Sequence, residues 1–321
     1  MGQKGQKYGK IDAMKLFSGS SHRALAEKVA EELGMELGGV ELQTFSCGEQ
    51  YVRYEESVRG QDVFIMQTGS EVTDSDIMEI CLMCQAAKLG FAKSIHLVIP
   101  HFPYARQDRV SKPREPISAK LVCDLLVTSG ADHIITLTLH TDQIQGFSDV
   151  PMDALRSHKL FSEYFKKKNL SGLVVVSPDA GGTKAAKVFA DTLGADLAVM
   201  HKTRPKHNEA AILHVVGEIE GKTAILYDDM IDTAGSICAA KEALLKNGAN
   251  RDVYVAATHP IFSGPAVERL TDAGFKEVVV SDSVPLEGKE FKGLTVLSIA
   301  PMLAEVIGHV MKGESVTEMY E

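Results

Sequence analysis

The stretch AILYDDMIDTAGSICAA, residues 224–240, carries the pattern that decides the fold class. Its four leading apolar residues predict a buried strand, and the segment from Ser236 onward, SICAAKEALLKNG, predicts a helix. Between the two lie three aspartates and a turn of small residues. A buried strand followed by a short polar turn and a helix is the repeating unit of parallel α/β sheets, in which ligands bind at the carboxyl ends of the strands.

The same alternation of strand and helix patterns runs through the whole chain. The strand-like DVFIMQ, residues 62–67, precedes the helix-like DSDIMEICLMCQAAKLG, residues 74–90, and similar pairs occur before and after it. After residue 153 the pattern begins again with a similar rhythm. The sequence therefore predicts an α/β fold of two similar domains, each a mainly parallel sheet flanked by helices, over residues 1–152 and 153–321.

Composition and charge restrict the class of ligand. The chain has 321 residues, of which 45% are hydrophobic and 24% charged, as expected for two globular domains. The net charge of −9 and the absence of tryptophan argue against nucleic-acid binding. Basic residues nevertheless cluster in two places, which suits small phosphorylated ligands: Arg106, Arg109, Lys112 and Arg114, and then Lys202, Arg204 and Lys206.

The cysteines and the apolar runs indicate the compartment. Five cysteines, an odd number spread over a long chain, do not suggest a disulfide framework and favour a reducing compartment. Cys81 and Cys84 form a C-x-x-C, but their apolar, helix-like surroundings favour two buried cysteines over a metal or redox pair. The polar start MGQKGQKYGK is not typical of a signal peptide, and no apolar run reaches membrane-spanning length. We expect a cytoplasmic location and no membrane partner.

The turn after the strand has the composition of an anion-binding loop. Small residues at the start of a helix present backbone N–H groups and the positive end of the helix dipole to an anion, and Thr233 and Ser236 add hydroxyl donors. The neighbouring aspartates cannot bind a phosphate directly, but they can accept hydrogen bonds from hydroxyl groups. A sugar phosphate would satisfy both halves of the loop. Taken alone, the loop is explained about equally well by a residue that merely caps an ordinary helix.

Several segments resemble those of a known family. TAILYDDMIDTAGS is similar to the phosphoribosyl-binding fingerprint of type I phosphoribosyltransferase folds. Further segments, in order along nearly the whole chain, resemble ribose-phosphate pyrophosphokinases, also called phosphoribosyl pyrophosphate synthetases: FSCGE (45–49), YARQDR (104–109), REPISAKL (114–121), HTDQIQGF (140–147), VSPDAGG (176–182), HKTRP (201–205) and THPIFSG (258–264). The resemblance implies two phosphoribosyltransferase-like domains, the second carrying the ribose-phosphate loop. It also implies an enzyme that transfers the pyrophosphoryl group of ATP to the 1-hydroxyl of ribose 5-phosphate for nucleotide biosynthesis.

The resemblance also implies a role for individual residues. Lys202 and Arg204 would be catalytic, and His140 and Asp179 would hold Mg²⁺. The residues implied for ATP are Phe45, Cys47, Gly48, Glu49, Arg106 and Gln107. Those implied for ribose 5-phosphate are Arg204, Asp228, Asp229, Asp232, Thr233, Ala234, Gly235 and Ser236.

Assembly and regulation are implied in the same way. Residues 45–49 would reach the ATP site of a neighbouring subunit, and the protein would form a homohexamer that responds to ADP and phosphate. Three residues depart from the family pattern, namely Cys47, Thr138 and Ala185, of which Thr138 stands where the family has an aspartate. These departures leave open a catalytically weak regulatory paralogue that assembles with an active synthetase. A base-dependent phosphoribosyltransferase would share the fingerprint, but it leaves the N-terminal half unexplained.

Overall fold

The computed structural model describes residues 14–203 and 212–317, and the chain divides into two compact units. The first unit comprises Met1–Arg156, Ser283–Pro285 and Ser298–Glu321, and the second comprises Ser157–Asp282 and Leu286–Leu297. The sequence predicts a division between residues 152 and 153, and in the structure the C-terminal segment from Ser298 belongs to the first unit.

The first unit is built on a parallel sheet of five strands in the order β1-β4-β5-β6-β7. These strands are β1 (Met14–Ser18), β4 (Asp62–Met66), β5 (Ser94–Ile99), β6 (His133–Leu137) and β7 (Met152–Leu155). A separate antiparallel hairpin consists of β2 (Val40–Thr44) and β3 (Gln50–Tyr54). The helices of this unit are α1 (Arg23–Leu33), α2 (Thr73–Leu89), α3 (Ser118–Ser129), a 3-10 helix (Asp142–Phe147) and α8 (Ala300–Lys312).

The C-terminal helix belongs to the first unit because its apolar face packs against α1. Leu303, Ile307 and their neighbours on α8 are buried, as are Leu25 and Val29 on α1. Burial of these side chains removes apolar surface from water, which stabilises the contact between two helices that lie far apart in the sequence.

The second unit is built on a sheet of seven strands in the order β10-β9-β8-β11-β12-β13-β14. Only β10 runs antiparallel to its neighbour among these strands. The strands are β8 (Leu173–Ser177), β9 (Asp196–Thr203), β10 (Ile212–Val216), β11 (Thr223–Ile231), β12 (Tyr254–Pro260), β13 (Glu277–Ser281) and β14 (Leu294–Leu297). The helices are α4 (His158–Lys167), α5 (Thr183–Leu193), α6 (Gly235–Lys246) and α7 (Ala266–Ala273). Both units confirm the predicted α/β class with mainly parallel sheets flanked by helices.

Strand β11 runs further than the sequence predicted. Asp228 and Asp229, expected in the loop, belong to the strand, which continues to Ile231. The reason is the neighbouring strand β12, whose His259 and Pro260 stand opposite Met230 and Ile231 and continue the ladder. The loop between the strand and α6 therefore contains only three residues, 232–234.

No helix within residues 14–203 and 212–317 combines the length and the apolarity needed to cross a lipid bilayer.

Candidate functional site

In the sheet of the second unit, the direction in which successive strands are added reverses between the neighbouring strands β8 and β11. From β8 the chain passes through α5 to β9 on one side, whereas from β11 it passes through α6 to β12 on the other. In open parallel sheets the crevice for a ligand lies at the carboxyl ends of the two strands where the order reverses. Asp179 follows β8, and Asp228 and Asp229 lie near the end of β11. The topology therefore places these three carboxylates at the expected binding crevice.

Asp179 is held in a tight turn at the start of α5. Its Oδ1 atom accepts a hydrogen bond from the Gly182 N–H at 3.0 Å, and its carbonyl accepts one from Ser177 Oγ at 2.7 Å. A Cβ atom at Gly182 would lie 2.9 Å from Ser177 Oγ, which explains why the second glycine of the Ala-Gly-Gly sequence has no side chain. The turn thus fixes one carboxylate at the carboxyl end of β8.

The carboxylates of the crevice repel one another. The pKa of Asp228 is held well above its usual value, first because burial removes water from the carboxyl group. The nearby carboxylates of Asp229 and Asp179 raise this pKa further, while the Asp229 N–H, 2.9 Å from Asp228 Oδ1, lowers it. Such a concentration of negative charge favours ligands that bring a cation or several hydroxyl donors.

The donor set is chemically suited to Mg²⁺, which prefers oxygen ligands and keeps several of its waters. Carboxylates from β11 and from the turn after β8 are close enough to interact electrostatically. No group of three His, Cys, Asp or Glu side chains in the described part of the chain is arranged to hold a metal by itself. Mg²⁺ is commonly bound by one or two carboxylates together with the phosphates of a substrate.

The loop 232–234 is held in place by the segment that follows β12. The Phe262 and Ser263 N–H groups donate to the carbonyls of Ile231 and Asp232 at 3.0 and 3.1 Å. The Ser263 hydroxyl also donates to the Asp232 carboxylate. These bonds attach the THPIFSG segment to the loop.

At the other end of the loop, Ala234 adopts a left-handed conformation with a φ of 60° and is buried. Arg269 Nη1, from α7, donates to the Thr233 carbonyl at 2.9 Å. Thr233, Gly235 and Ser236 are exposed. The start of α6 therefore presents its N–H groups next to two hydroxyl side chains, as an anion site requires.

In the first unit, the predicted ATP-contacting turn forms the tip of the β2–β3 hairpin. Phe45 and Glu49 close the turn through a hydrogen bond from the Phe45 N–H to the Glu49 carbonyl at 2.8 Å, and Gly48 has a φ of 93°. The Phe45 ring is 48% exposed, and Cys47 is exposed as well. The hairpin thus offers an aromatic ring and a thiol to solvent rather than to its own core.

The second predicted ATP segment, YARQDR, is held by contacts with the start of α3. The side chain of Gln107 accepts a hydrogen bond from the Ser118 hydroxyl, and its carbonyl accepts one from the Ala119 N–H at 3.2 Å. Asp108 is buried, whereas Arg106 is exposed. These contacts attach the segment to the start of α3, so the Gln107 side chain has a structural partner in addition to the predicted nucleotide.

Comparison with known proteins places the chain in a family. The protein-family model described as the N-terminal domain of ribose phosphate pyrophosphokinase matches residues 14–130. A second family model, the phosphoribosyl synthetase-associated domain, matches residues 203–321. The ribose-phosphate pyrophosphokinases of Fusobacterium nucleatum and Bacillus subtilis are 45% and 47% identical; each alignment covers 96% of this chain, and 98% and 97% of those proteins. The chain belongs to the ribose-phosphate pyrophosphokinase family.

The solved structures agree. The phosphoribosylpyrophosphate synthetase of Mycobacterium smegmatis is 46% identical and superposes with a TM-score of 0.89, covering 94% of this chain and 99% of that one. The resemblance inferred from the sequence is thereby confirmed. Because the match includes the N-terminal half, a base-dependent phosphoribosyltransferase is not needed to explain the fingerprint, and nothing in these comparisons favours a regulatory paralogue.

The residues predicted from the family pattern are distributed over both units. Asp179 interacts electrostatically with Asp228, and both lie in the second unit with the loop 232–234. His140 belongs to the first unit, where it is exposed in the segment between β6 and the 3-10 helix. Lys202 lies in β9 opposite Leu213 of β10, and Arg204 lies outside the described residues.

The sequence did not indicate the roles of two residues, Arg269 beside the loop of the second unit and Asp108 in the first unit. Arg269 looks like an ordinary charged residue on the polar face of the helix AVERLTDA, and its bond to Thr233 spans 36 residues of sequence. Asp108 stands between other polar residues in YARQDR and resembles an exposed loop residue, yet it is only 9% exposed. The only indication in the sequence is that Asp108 belongs to YARQDR, a segment that resembles the family.

Proposed function

We propose that this protein makes 5-phosphoribosyl 1-pyrophosphate and AMP from ATP and ribose 5-phosphate, as part of nucleotide biosynthesis. One observation carries the proposal: a short loop at the start of α6 and three interacting carboxylates lie at the carboxyl ends of strands in the second unit. In a chain that matches this family over nearly its whole length, that combination fits a sugar phosphate.

The two parts of ribose 5-phosphate have complementary partners. The N–H groups at the start of α6, with the hydroxyls of Thr233 and Ser236, bind the 5-phosphate. Asp228 and Asp229 accept hydrogen bonds from the ribose hydroxyls. Asp232, Ala234 and Gly235 shape the loop between these two contacts.

Transfer requires positive charge where negative charge develops. The O1 atom of the sugar forms a bond with the β-phosphorus of ATP as the bond to the α–β bridging oxygen breaks, so that AMP leaves and the hydroxyl proton is lost. Lys202 suits this step because β9 runs parallel to β8 and Val199 stands opposite Ser177. Lys202 thus lies three residues further along, towards the same carboxyl edge as Asp179. Lys202 and Arg204 stabilise the transferring group.

The proposed reaction also needs residues that hold Mg²⁺ and ATP. Asp179 and His140 are the residues that would hold Mg²⁺, with phosphate oxygens of ATP as further ligands, and the bound metal would neutralise charge on the triphosphate. ATP contacts Arg106 and Gln107, and also Phe45, Cys47, Gly48 and Glu49 from a neighbouring subunit of a homohexamer. ADP and phosphate act as effectors, and the protein functions in the cytoplasm.

The activity is tested by incubating the protein with ATP, Mg²⁺ and ribose 5-phosphate. We expect AMP and 5-phosphoribosyl 1-pyrophosphate in equal amounts, and no AMP when ribose 5-phosphate is omitted. Lys202→Ala is the control, because it removes the proposed catalytic cation from the end of β9. If the wild-type protein releases no more AMP than this variant over a range of phosphate and Mg²⁺ concentrations, the proposed activity is wrong.

A further inference from the structure

Arg269 places its guanidinium group beside the ribose-phosphate loop. Its Nη1 atom donates to the Thr233 carbonyl at 2.9 Å, and a Cβ atom built on Gly235 would lie 3.6 Å from the same nitrogen. The guanidinium therefore adjoins the first residue of α6, where the N–H groups of the proposed phosphate site begin.

The arginine is anchored to the loop through its helix. The Arg269 carbonyl accepts a hydrogen bond from the Cys238 thiol of α6 at 3.5 Å, and its N–H donates to the Pro265 carbonyl at 3.0 Å. Just before α7, Ser263 is bonded to Asp232 through both its N–H and its hydroxyl. The segment after β12 thus contacts the loop at Asp232, and α7 contacts it at Thr233.

The charge of the site explains what this arginine could do. Bound ribose 5-phosphate brings a phosphate group close to the carboxylates of Asp228, Asp229 and Asp232, and the partial charge at a helix N-terminus offsets only part of this repulsion. A guanidinium has five N–H donors, of which the Thr233 carbonyl takes one. Its remaining donors match the geometry of phosphate oxygens.

We propose that Arg269 is a positioning and specificity residue for the 5-phosphate of the sugar substrate. It holds the Thr233 carbonyl, so that the left-handed turn at Ala234 keeps the N–H groups of α6 directed at the phosphate. It also adds a full positive charge next to that group. This inference rests on the proposed function of the loop and extends it to a helix outside the loop itself.

The test compares Arg269→Ala, Arg269→Lys and a matched control, Arg251→Ala, which removes an exposed arginine elsewhere in the same unit. Ribose 5-phosphate binding is measured by calorimetry without ATP, and KM is measured for both substrates. We expect Arg269→Ala to weaken ribose 5-phosphate binding by roughly tenfold to a hundredfold, the usual effect of losing a hydrogen bond to a charged group. The KM for ATP should change much less, and Arg269→Lys should recover part of the loss because it keeps the charge.

Each other outcome has a distinct meaning. If wild-type protein and Arg269→Ala bind ribose 5-phosphate equally well, or if KM rises equally for both substrates, the role of Arg269 is wrong. If Arg269→Ala melts at a clearly lower temperature than Arg251→Ala, the test uses Arg269→Lys instead. A rise in KM for ribose 5-phosphate that exceeds the rise for ATP in that variant supports the role of Arg269, and equal rises contradict it. If the wild-type protein itself fails to bind ribose 5-phosphate, the proposed function fails instead.

Discussion

The carboxylate of Asp108 accepts a hydrogen bond from the hydroxyl of Thr141, with Asp108 Oδ2 and Thr141 Oγ1 2.8 Å apart. Gln143 Nε2 donates to the same oxygen at 2.9 Å. Asp108 follows Arg106 and Gln107, which we propose contact ATP, and Thr141 follows His140, which we propose contacts Mg²⁺. A buried carboxylate therefore links the nucleotide segment to the metal segment within the first unit.

Removing this carboxylate should affect both stability and nucleotide use. In Asp108→Ala two donors lose a buried acceptor, so we expect the free energy of unfolding to fall by about 1–3 kcal/mol. The KM for ATP and the Mg²⁺ requirement should rise more than the KM for ribose 5-phosphate. Asp124→Ala is the control, since Asp124 is 48% exposed and its ion pair with Lys120 should contribute little. Equal stability of the two variants would contradict the structural role of Asp108.

The fold class was predictable because strand and helix patterns alternate along the chain, and each pattern is local. The partners of these elements are not local. The apolar face of α8 indicates burial, but the sequence does not show that α1, almost three hundred residues earlier, covers it. Likewise, the extension of β11 through Asp228 and Asp229 depends on β12, because paired aspartates alone suggest a loop.

The site was predictable to a similar extent. The composition of residues 232–236 indicated an anion loop, and the strand–loop–helix order gave its position. The contacts from Ser263 and Arg269 could not be derived, since they cross 31 and 36 residues of sequence. The remaining site residues were inferred from the family pattern, which implies a role for each residue but does not show its contacts.

Asp228→Asn should have opposite effects on stability and on substrate binding. The folded protein keeps a proton on Asp228 that the unfolded chain has released, so stability falls as pH rises from the ordinary aspartate pKa towards the raised one. The neutral amide lacks this penalty. We therefore expect a higher melting temperature at neutral pH and a smaller difference in acid. The KM for ribose 5-phosphate should rise more than that for ATP, because an NH₂ group replaces one of the two carboxyl oxygens that can accept hydrogen bonds from the sugar.

Two measurements check this prediction. Melting is followed across the acid and neutral range for the wild-type protein, Asp228→Asn and the control Asp252→Asn, whose carboxylate is 56% exposed. Steady-state kinetics then give KM for each substrate. Equal changes for ATP and ribose 5-phosphate would show that Asp228 does not face the sugar.

His96 should make the protein less stable in acid. Its ring stacks on Phe64 with 4.5 Å between centroids, and its Nδ1 and Nε2 atoms lie 3.2 Å from His133 Nδ1 and 2.8 Å from Ser94 Oγ. Burial, and then the electrostatic effect of His133, lower the pKa of His96 to about 4, while nearby Asp62 and Asp132 raise it and Lys93 lowers it. His96 is therefore protonated near pH 6.5 in the unfolded chain but only near pH 4 in the folded protein.

The sign of this effect is a loss of stability as pH falls from 6.5 to 4, amounting to about 3 kcal/mol at most. We expect His96→Gln to show a shallower loss over this range, whereas His214→Gln, at an exposed position, should follow the wild-type protein. The measurement is urea unfolding at several pH values. Parallel curves for all three proteins would mean that His96 does not set the acid sensitivity.

Thr138 stands where the resemblance to the family implies an aspartate, and its backbone is strained. Its φ is 42°, in the left-handed region that β-branched residues rarely adopt, and its N–H donates to the Leu155 carbonyl at 2.8 Å. Aspartate and asparagine tolerate this region better, since their side chains are not branched at Cβ. Thr138→Asp and Thr138→Asn should therefore both raise the free energy of unfolding, by up to about 1 kcal/mol.

Only one of the two variants restores a carboxylate two residues before His140. Thr138→Asp should therefore reach half-maximal activity at a lower Mg²⁺ concentration, whereas Thr138→Asn should keep the wild-type requirement. Because the two side chains have almost the same shape, this comparison separates charge from relief of strain. A Mg²⁺ requirement unchanged in both variants would place residue 138 away from the metal, even if both proteins become more stable.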